Sequence, residues 1–102
     1  MSDATRTRPA AIIADDEPEL ARYLRERLAA QWPELDILGV AGNGPEAKAM
    51  IMDEEPDIAF LDIRMPGLSG LDVAKDLGGV HVVFVTAYDE YALEAFDRAA
   101  VD

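Results

Sequence analysis

With 102 residues, half of them apolar, the chain has enough material for one small domain with a buried core. Nine basic and 21 acidic residues give a net charge of -12, which disfavours direct binding to nucleic acid or to an anionic membrane. The chain contains no cysteine, so disulfides and thiol chemistry are excluded.

The sequence shows no membrane-spanning or secretory segment. No apolar run approaches the roughly 20 residues needed to span a bilayer. Residues 1–9 are polar and lack the apolar core of a signal peptide. We therefore expect a cytoplasmic protein with a flexible lead at residues 1–9 and one folded domain at residues 10–102.

The first strand and the first helix are predicted within residues 10–33. Residues 10–14 form an apolar run of strand length. A helix should begin at Glu17 and Pro18, because proline suits the first turn and acids suit the positive end of the helix dipole. This helix should end at Pro33. Its expected apolar stripe contains Leu20, Tyr23, Leu24 and Leu28.

Two further strands, with a helix between them, are predicted up to residue 62. Residues 35–41 mix apolar and polar residues, which favours a strand near the edge of a sheet. After a glycine-containing turn, a second helix should run from Pro45 to about Asp53. Its expected inward face contains Ala47, Met50 and Ile51. Residues 58–62 form a continuous apolar run, which suits a strand buried on both faces of a parallel sheet.

The remaining segments continue the alternation of strand and helix. Ser69 can cap a short third helix that Gly78 and Gly79 would stop, and residues 80–85 predict a fourth strand. The apolar residues of the third helix are Leu71, Val73, Ala74 and Leu77. Asp89 could cap a fourth helix, whose apolar face would include Ala92, Ala95, Phe96 and Ala99. Such alternation indicates right-handed parallel crossovers and a single α/β sandwich.

Two of the predicted strands end on carboxylates. Asp15 and Asp16 follow the first strand, and Asp62 ends the third. If these strands are parallel neighbours, the three carboxylates converge at the end of the sheet where ligands bind in open α/β folds. Their mutual repulsion then requires a raised pKa, access to water or a bound cation. Mg²⁺ is preferred over Ca²⁺, because few carboxylates leave room for waters and a phosphoryl group. Taken alone, Asp62 could simply cap its strand.

Three motifs together resemble the receiver domain of two-component response regulators. They are Asp15-Asp16-Glu17-Pro18, Leu61-Asp62-Ile63-Arg64-Met65-Pro66 with Gly70, and Val85-Thr86-Ala87, in the order and spacing of that family. Residues 88–96 further resemble the LytTR (LytR/AlgR) group. The resemblance implies a doubly wound, flavodoxin-like parallel sheet with strand order 2-1-3-4, from which the fifth strand and helix of the family are missing. It also implies a signalling module rather than a turnover enzyme.

The resemblance implies a phosphorylation site with its own metal ion. Asp62 would accept a phosphoryl group from the histidine of a partner sensor kinase. Asp15, Asp16 and Asp62 would bind Mg²⁺ together with the backbone carbonyl of Arg64. Glu17 would serve as an outer ligand or only as the start of the helix.

The resemblance also implies how the phosphorylated state is read and how long it lasts. Thr86 would offer its hydroxyl to the phosphoryl group, and the resulting loop movement would be the switch. Ala87 is small and leaves a path to Asp62, whereas Arg64 and Tyr88 would screen attacking water. Taken alone, Thr86 could equally be a strand residue that bonds locally, and Tyr88 a packing group. The intact protein would continue into a DNA-binding domain that regulates transcription.

The chain ends before the lysine and the aromatic switch residue that receivers normally carry. We therefore expect a C-terminally truncated receiver domain at residues 10–102, with its phosphorylation and signal output in question. The fourth strand would become an open sheet edge, which predicts a homodimer or other self-association by strand pairing or exchange. The other expected partner is the sensor kinase, with no direct contact to nucleic acid or membrane.

Three other interpretations of the sequence remain open. The missing segment favours a pseudo-receiver or a phosphorylation-independent interaction module. Gly42-Asn43-Gly44-Pro45-Glu46-Ala47 matches G-x-G-x-x-A, with Asp62 further on, as in a dinucleotide-binding half-domain. That interpretation leaves the aspartates after the first strand unexplained, and Pro45 removes an amide that a phosphate would need. A haloacid-dehalogenase-like phosphatase would need a second aspartate where Arg64 stands.

His81, the single histidine, fits a strand start better than a phosphocarrier.

Overall fold

The computed structural model describes residues 8–75 and 77–85 of the chain. They form four strands and three helices in strict alternation. The elements are β1 (Ala10–Ala14), α1 (Pro18–Gln31), β2 (Asp36–Ala41), α2 (Gly44–Glu54), β3 (Ile58–Asp62), α3 (Gly70–Lys75) and β4 (His81–Val85). The predicted fourth helix, with Asp89 as its cap, lies outside the described residues.

The four strands form one parallel sheet in the order β2-β1-β3-β4. This order confirms the prediction of a flavodoxin-like α/β fold. The register of the two central strands pairs Ala14 with Leu61, so β1 and β3 end at the same level. Asp15, which follows β1, therefore lies beside Asp62 at the carboxyl ends of the two central strands.

The core consists of two layers, one on each face of the sheet. Alternate residues of β1 and β3 point to opposite faces, as the twofold repeat of a strand requires. One layer contains Ile12, Ala14, Ala59 and Leu61 together with Ala41, Ala47, Ile51 and Val73. The other contains Ala11, Ile13 and Phe60 together with Ala21, Leu24, Leu28 and Leu35. Since helices cover both faces, β1 and most of β3 are buried, as the continuous apolar runs predicted.

The buried face of α1 differs from the predicted stripe. Leu24 and Leu28 are buried as expected, but Tyr23 is 44% exposed and Ala21 is buried instead. The Tyr23 ring lies on the solvent side, where the guanidinium carbon of Arg27 stands 5.9 Å from its centroid. The buried residues of α1 are Ala21, Leu24 and Leu28, at helical spacings of three and four. The apolar stripe is therefore narrower than predicted, and the small side chain of Ala21 takes the place expected for Tyr23.

The third helix begins as predicted, but Leu77 lies outside it. Ser69 caps it as predicted, because its hydroxyl accepts a hydrogen bond from the Asp72 amide at 3.1 Å. Of its apolar residues, Val73 is buried, whereas Leu71 is 51% exposed. The described part of the helix covers Gly70–Lys75. None of the described helices has the length and apolar character that crossing a membrane would require.

Candidate functional site: a cluster of three aspartates

The ends of β1 and β3 bring three aspartates together. Asp15 directly follows β1, and its amide donates to the carbonyl of Ala41 on β2 at 3.0 Å, which keeps this part of the chain against the sheet. Asp62 is the last residue of β3. Asp15, Asp16 and Asp62 each offer one carboxylate oxygen, and these three oxygens lie within 4.8 Å of one another. The convergence expected from neighbouring parallel strands is therefore present in the structure.

The three carboxylates differ in their access to solvent. Asp62 is 4% exposed and Asp15 is 8% exposed, whereas Asp16 is exposed. Two backbone amides face the buried pair. The Glu17 amide donates to Oδ1 of Asp15 at 2.8 Å, and the Arg64 amide lies 3.4 Å from Oδ1 of Asp62. Each buried carboxylate is thus oriented by the backbone two residues further along the chain.

Burial and like charge make the anionic cluster unfavourable. Burial, reinforced by the charges of Asp15 and Asp16, raises the pKa of Asp62 to about 6 from an ordinary value of 3.8, against the lowering effect of the Arg64 amide. Burial also raises the pKa of Asp15, and the Glu17 amide only partly offsets it. The cluster therefore favours either a proton or a cation between these oxygens.

The donor atoms of the cluster fit a hard divalent cation. Carboxylate oxygens are the ligands that Mg²⁺ and Ca²⁺ take in proteins, and Mg²⁺ typically uses one or two carboxylates and keeps several waters. One exposed and two buried aspartates provide such a set and leave one side open to solvent. The chemistry of these residues is therefore compatible with the expected Mg²⁺.

The other predicted site residues are placed less completely. Arg64 is exposed in the loop between β3 and α3, and its backbone amide faces Asp62. Thr86, Ala87 and Tyr88 lie outside the described residues, so their predicted roles stay predictions. His81 pairs with Ile58, at the opposite end of β3 from the aspartates.

Sequence reasoning missed the backbone groups that hold the carboxylates. Glu17, expected as an outer ligand or a helix start, is the N-cap residue of α1, and its amide donates to Oδ1 of Asp15. Only the carbonyl of Arg64 was expected at the site, although the amide of this residue faces Asp62. The available signal was the spacing, since an aspartate side chain commonly accepts from the amide two residues later.

The glycine motif before α2 has a local structural role. The Asn43 side chain accepts from the Glu46 amide at 2.8 Å, and the Glu46 carboxylate accepts from the Gly42 amide at 2.8 Å. The first bond is the side-chain N-cap of α2, and the second binds the amide of the residue before the cap. Because side chains of the chain itself already bind these amides, the G-x-G-x-x-A pattern is explained without a dinucleotide.

Comparison with curated proteins identifies relatives that match most of this chain. The sequence profile described as "Response regulator receiver domain" matches residues 11–102. An uncharacterized response regulatory protein of Vibrio cholerae is 48% identical over 96 residues, covering 90% of this chain and 37% of that protein. The Positive alginate biosynthesis regulatory protein of Pseudomonas aeruginosa is 49% identical over 98 residues, covering 88% of this chain and 38% of that protein. The chain thus spans about two fifths of the length of these relatives.

Solved structures show the same fold. The signal receiver domain of the putative response regulator NarL from Mycobacterium tuberculosis is 27% identical, with a TM-score of 0.72 over 91% of this chain and 79% of that chain. The signal receiver domain of a modulated diguanylate cyclase from Desulfovibrio desulfuricans is 33% identical, with a TM-score of 0.70 over 92% of this chain and 75% of that chain. The chain therefore belongs to the response regulator receiver domain family.

Proposed function

We propose that the chain accepts a phosphoryl group on Asp62 from a partner histidine kinase and uses it to switch a downstream output. The domain itself is a signalling module rather than a turnover enzyme, and receiver domains interact with histidine kinases. The observation that carries the proposal is the cluster at the ends of β1 and β3, where oxygens of Asp15, Asp16 and Asp62 lie within 4.8 Å of one another. A nucleophile, two further acids and a solvent opening are what aspartyl phosphorylation requires.

The proposed reaction is a nucleophilic displacement at phosphorus. One carboxylate oxygen of Asp62 attacks the phosphoryl group, the P–N bond to the kinase histidine breaks, and the imidazole leaves as its nitrogen gains a proton. The nucleophile must be ionised. Since burial raises the pKa of Asp62 to about 6, most of the carboxylate is anionic at pH 7.5 even without a cation, and a cation increases that fraction.

We assign the cofactor Mg²⁺ to this site. Receiver domains generally bind Mg²⁺ at an acidic pocket, and Asp15, Asp16 and Asp62 would hold it together with the backbone carbonyl of Arg64. When bound, the ion neutralises charge on the phosphoryl oxygens and aligns the reacting groups. The protein contributes the orientation of the ligands, because the Glu17 amide fixes Asp15 and the Arg64 amide faces Asp62.

We assign the switch and the lifetime of the phosphorylated state to Thr86, Ala87, Arg64 and Tyr88. Thr86 would bind a phosphoryl oxygen after transfer, and Ala87 would leave the approach to Asp62 open. Arg64 and Tyr88 would limit the access of water. The exposed position of Arg64, two residues after Asp62, supports its part of this assignment.

The proposed output is transcription regulation through a LytTR DNA-binding domain. The support is the similarity to the Positive alginate biosynthesis regulatory protein, of which this chain covers 38%. Residues 10–102 would be the receiver domain, preceded by the lead of residues 1–9. Within the described residues, β4 pairs only with β3, which supports the proposed self-association through this sheet edge.

An intact-mass assay with Mg²⁺ and acetyl phosphate tests the proposed phosphorylation. We expect a base-labile gain of one phosphoryl group in the wild type and in Asp36→Asn, which changes an exposed aspartate at the start of β2. Asp62→Asn should show no gain. Phosphorylation that persists in Asp62→Asn would assign the acceptor elsewhere. No gain in the wild type would instead support the pseudo-receiver interpretation.

A further inference from the structure

The loop of residues 63–69, which connects β3 to α3, rests on the first turn of α2. The Gly44 amide donates to the carbonyl of Pro66 at 3.2 Å. A methyl group at Gly44 would lie 2.7 Å from the carbonyl carbon of Leu68 and 2.5 Å from its Cβ. The backbone of α2 and the backbone of the loop are therefore too close for any side chain at this position.

A second contact of the same kind lies beside the first. Gly67 has a φ of 85°, which disfavours residues with a side chain. A methyl group on Gly67 would also lie 2.7 Å from Cδ and 2.8 Å from Cγ of Pro45. We refer to these two contacts, Gly44 with Pro66 and Leu68, and Pro45 with Gly67, as the α2–loop contact.

The same loop carries the backbone of Arg64 to the aspartate cluster. The Arg64 amide lies 3.4 Å from Oδ1 of Asp62, and its carbonyl is the proposed fourth ligand. The Gly70 amide donates to the carbonyl of Ile63 at 2.9 Å and thus closes the loop at its base. The loop is anchored at its two ends by β3 and α3, and the α2–loop contact fixes its middle.

We propose that Gly44 and Gly67 are positioning residues for the metal site: by allowing the α2–loop contact, they hold the Arg64 backbone at the aspartate cluster. This inference rests on the proposed function, because it assumes that the cluster binds Mg²⁺. It also explains why glycine stands at position 44, which the hydrogen bonds of Asn43 and Glu46 at the start of α2 do not require. Groups that orient metal ligands without touching the metal contribute substantially to affinity.

The test compares two glycines with the same backbone conformation and different surroundings. Gly67 and Gly79 have φ values of 85° and 82°, but a methyl group at Gly79 would meet nothing within 4 Å. Both Gly67→Ala and Gly79→Ala carry backbone strain, and only Gly67→Ala disturbs the α2–loop contact. We expect Gly67→Ala to raise the Mg²⁺ dissociation constant roughly ten-fold and Gly79→Ala to leave it unchanged. Isothermal titration calorimetry on metal-free protein measures this constant, and circular dichroism confirms folding.

A rescue variant separates the contact from the strain. Pro45→Ala removes the ring atoms that a methyl group at Gly67 would meet, and leaves the φ of residue 67 unaltered. The double variant Pro45→Ala/Gly67→Ala should therefore return the dissociation constant towards the wild-type value. If Gly67→Ala does not fold, the double variant decides: near-wild-type affinity supports the proposal, and a folded double variant that binds weakly overturns it.

The outcomes distinguish this inference from the proposed function. Wild-type protein that binds no Mg²⁺ would overturn the metal assignment and with it the positioning role. Wild-type protein that binds Mg²⁺, with Gly67→Ala and Gly79→Ala both unchanged, would overturn the positioning role alone. In that case the glycines serve only the packing of the loop.

Discussion

The carboxylates of Asp15 and Asp62 are buried neighbours at the ends of two parallel strands. Their backbones are placed side by side by the register of β1 and β3, which pairs Ala14 with Leu61. With exposed fractions of 8% and 4%, both acids lose much of their hydration, and this burial raises the pKa of each. The charge of Asp15 raises the pKa of Asp62 further. Folding without a cation therefore places unfavourable negative charge at the carboxyl ends of β1 and β3.

Removing the charge of Asp62 should stabilise the metal-free protein. The folded pKa of about 6 lies above the ordinary value of 3.8, so the native state binds more protons between these values and stability falls as pH rises through this range. At pH 7.5, Asp62→Asn should raise the free energy of unfolding by about 1–2 kcal/mol. The gain should disappear near pH 4, where the wild-type carboxyl is protonated. Urea unfolding at both pH values measures it.

The exposed variant Asp36→Asn is the control for this prediction, because it removes one negative charge from the same acidic chain outside the cluster. A gain in Asp36→Asn as large as that in Asp62→Asn would attribute the effect to net charge rather than to burial.

Mg²⁺ should stabilise the protein in a pH-dependent way. A ligand that binds only the native state at about 100 times its dissociation constant adds about 2.7 kcal/mol to the free energy of unfolding. At pH 5, below the pKa of about 6, a proton on Asp62 competes with the ion, so the same Mg²⁺ concentration should stabilise less than at pH 7.5. Thermal unfolding with and without Mg²⁺ at the two pH values checks this. Equal stabilisation at both would show that Asp62 is not a ligand.

Asp16 allows the metal site to be tested with little change to the fold, because its side chain is exposed. We expect Asp16→Asn to weaken Mg²⁺ binding by about ten-fold or more and to leave the unfolding midpoint of the metal-free protein nearly unchanged. The matched control is Asp53→Asn, an exposed aspartate near the end of α2. Calorimetric titration of both variants gives the comparison. Wild-type affinity in Asp16→Asn would remove this residue from the proposed ligand set.

The sequence was most informative where one physical rule determined the outcome. Continuous apolar runs predicted β1 and β3 at the residues where they occur, and the convergence of Asp15 with Asp62 followed from parallel pairing. The prediction was wrong where a small rotation of the helix about its axis decides which side chains are buried. Tyr23 was expected inside, but Ala21 takes the inward position, because a small apolar residue gives a weak periodic signal and a large ring can lie on the surface. Backbone groups such as the Glu17 amide are indicated only by their spacing of two residues from the aspartate, which is a weak signal.

The reassigned face of α1 can be tested with a pair of substitutions one residue apart. Leu24 is 6% exposed and packs in the layer that contains Ile13 and Phe60, whereas Tyr23 lies on the solvent side against Arg27. Leu24→Ala should lower the free energy of unfolding by about 2–4 kcal/mol, through lost burial and the cavity that remains. Tyr23→Ala should cost about 0.5–1 kcal/mol, mainly the exposed contact with the guanidinium group. Urea unfolding at pH 7.5 separates the two, and equal losses would restore Tyr23 to the core.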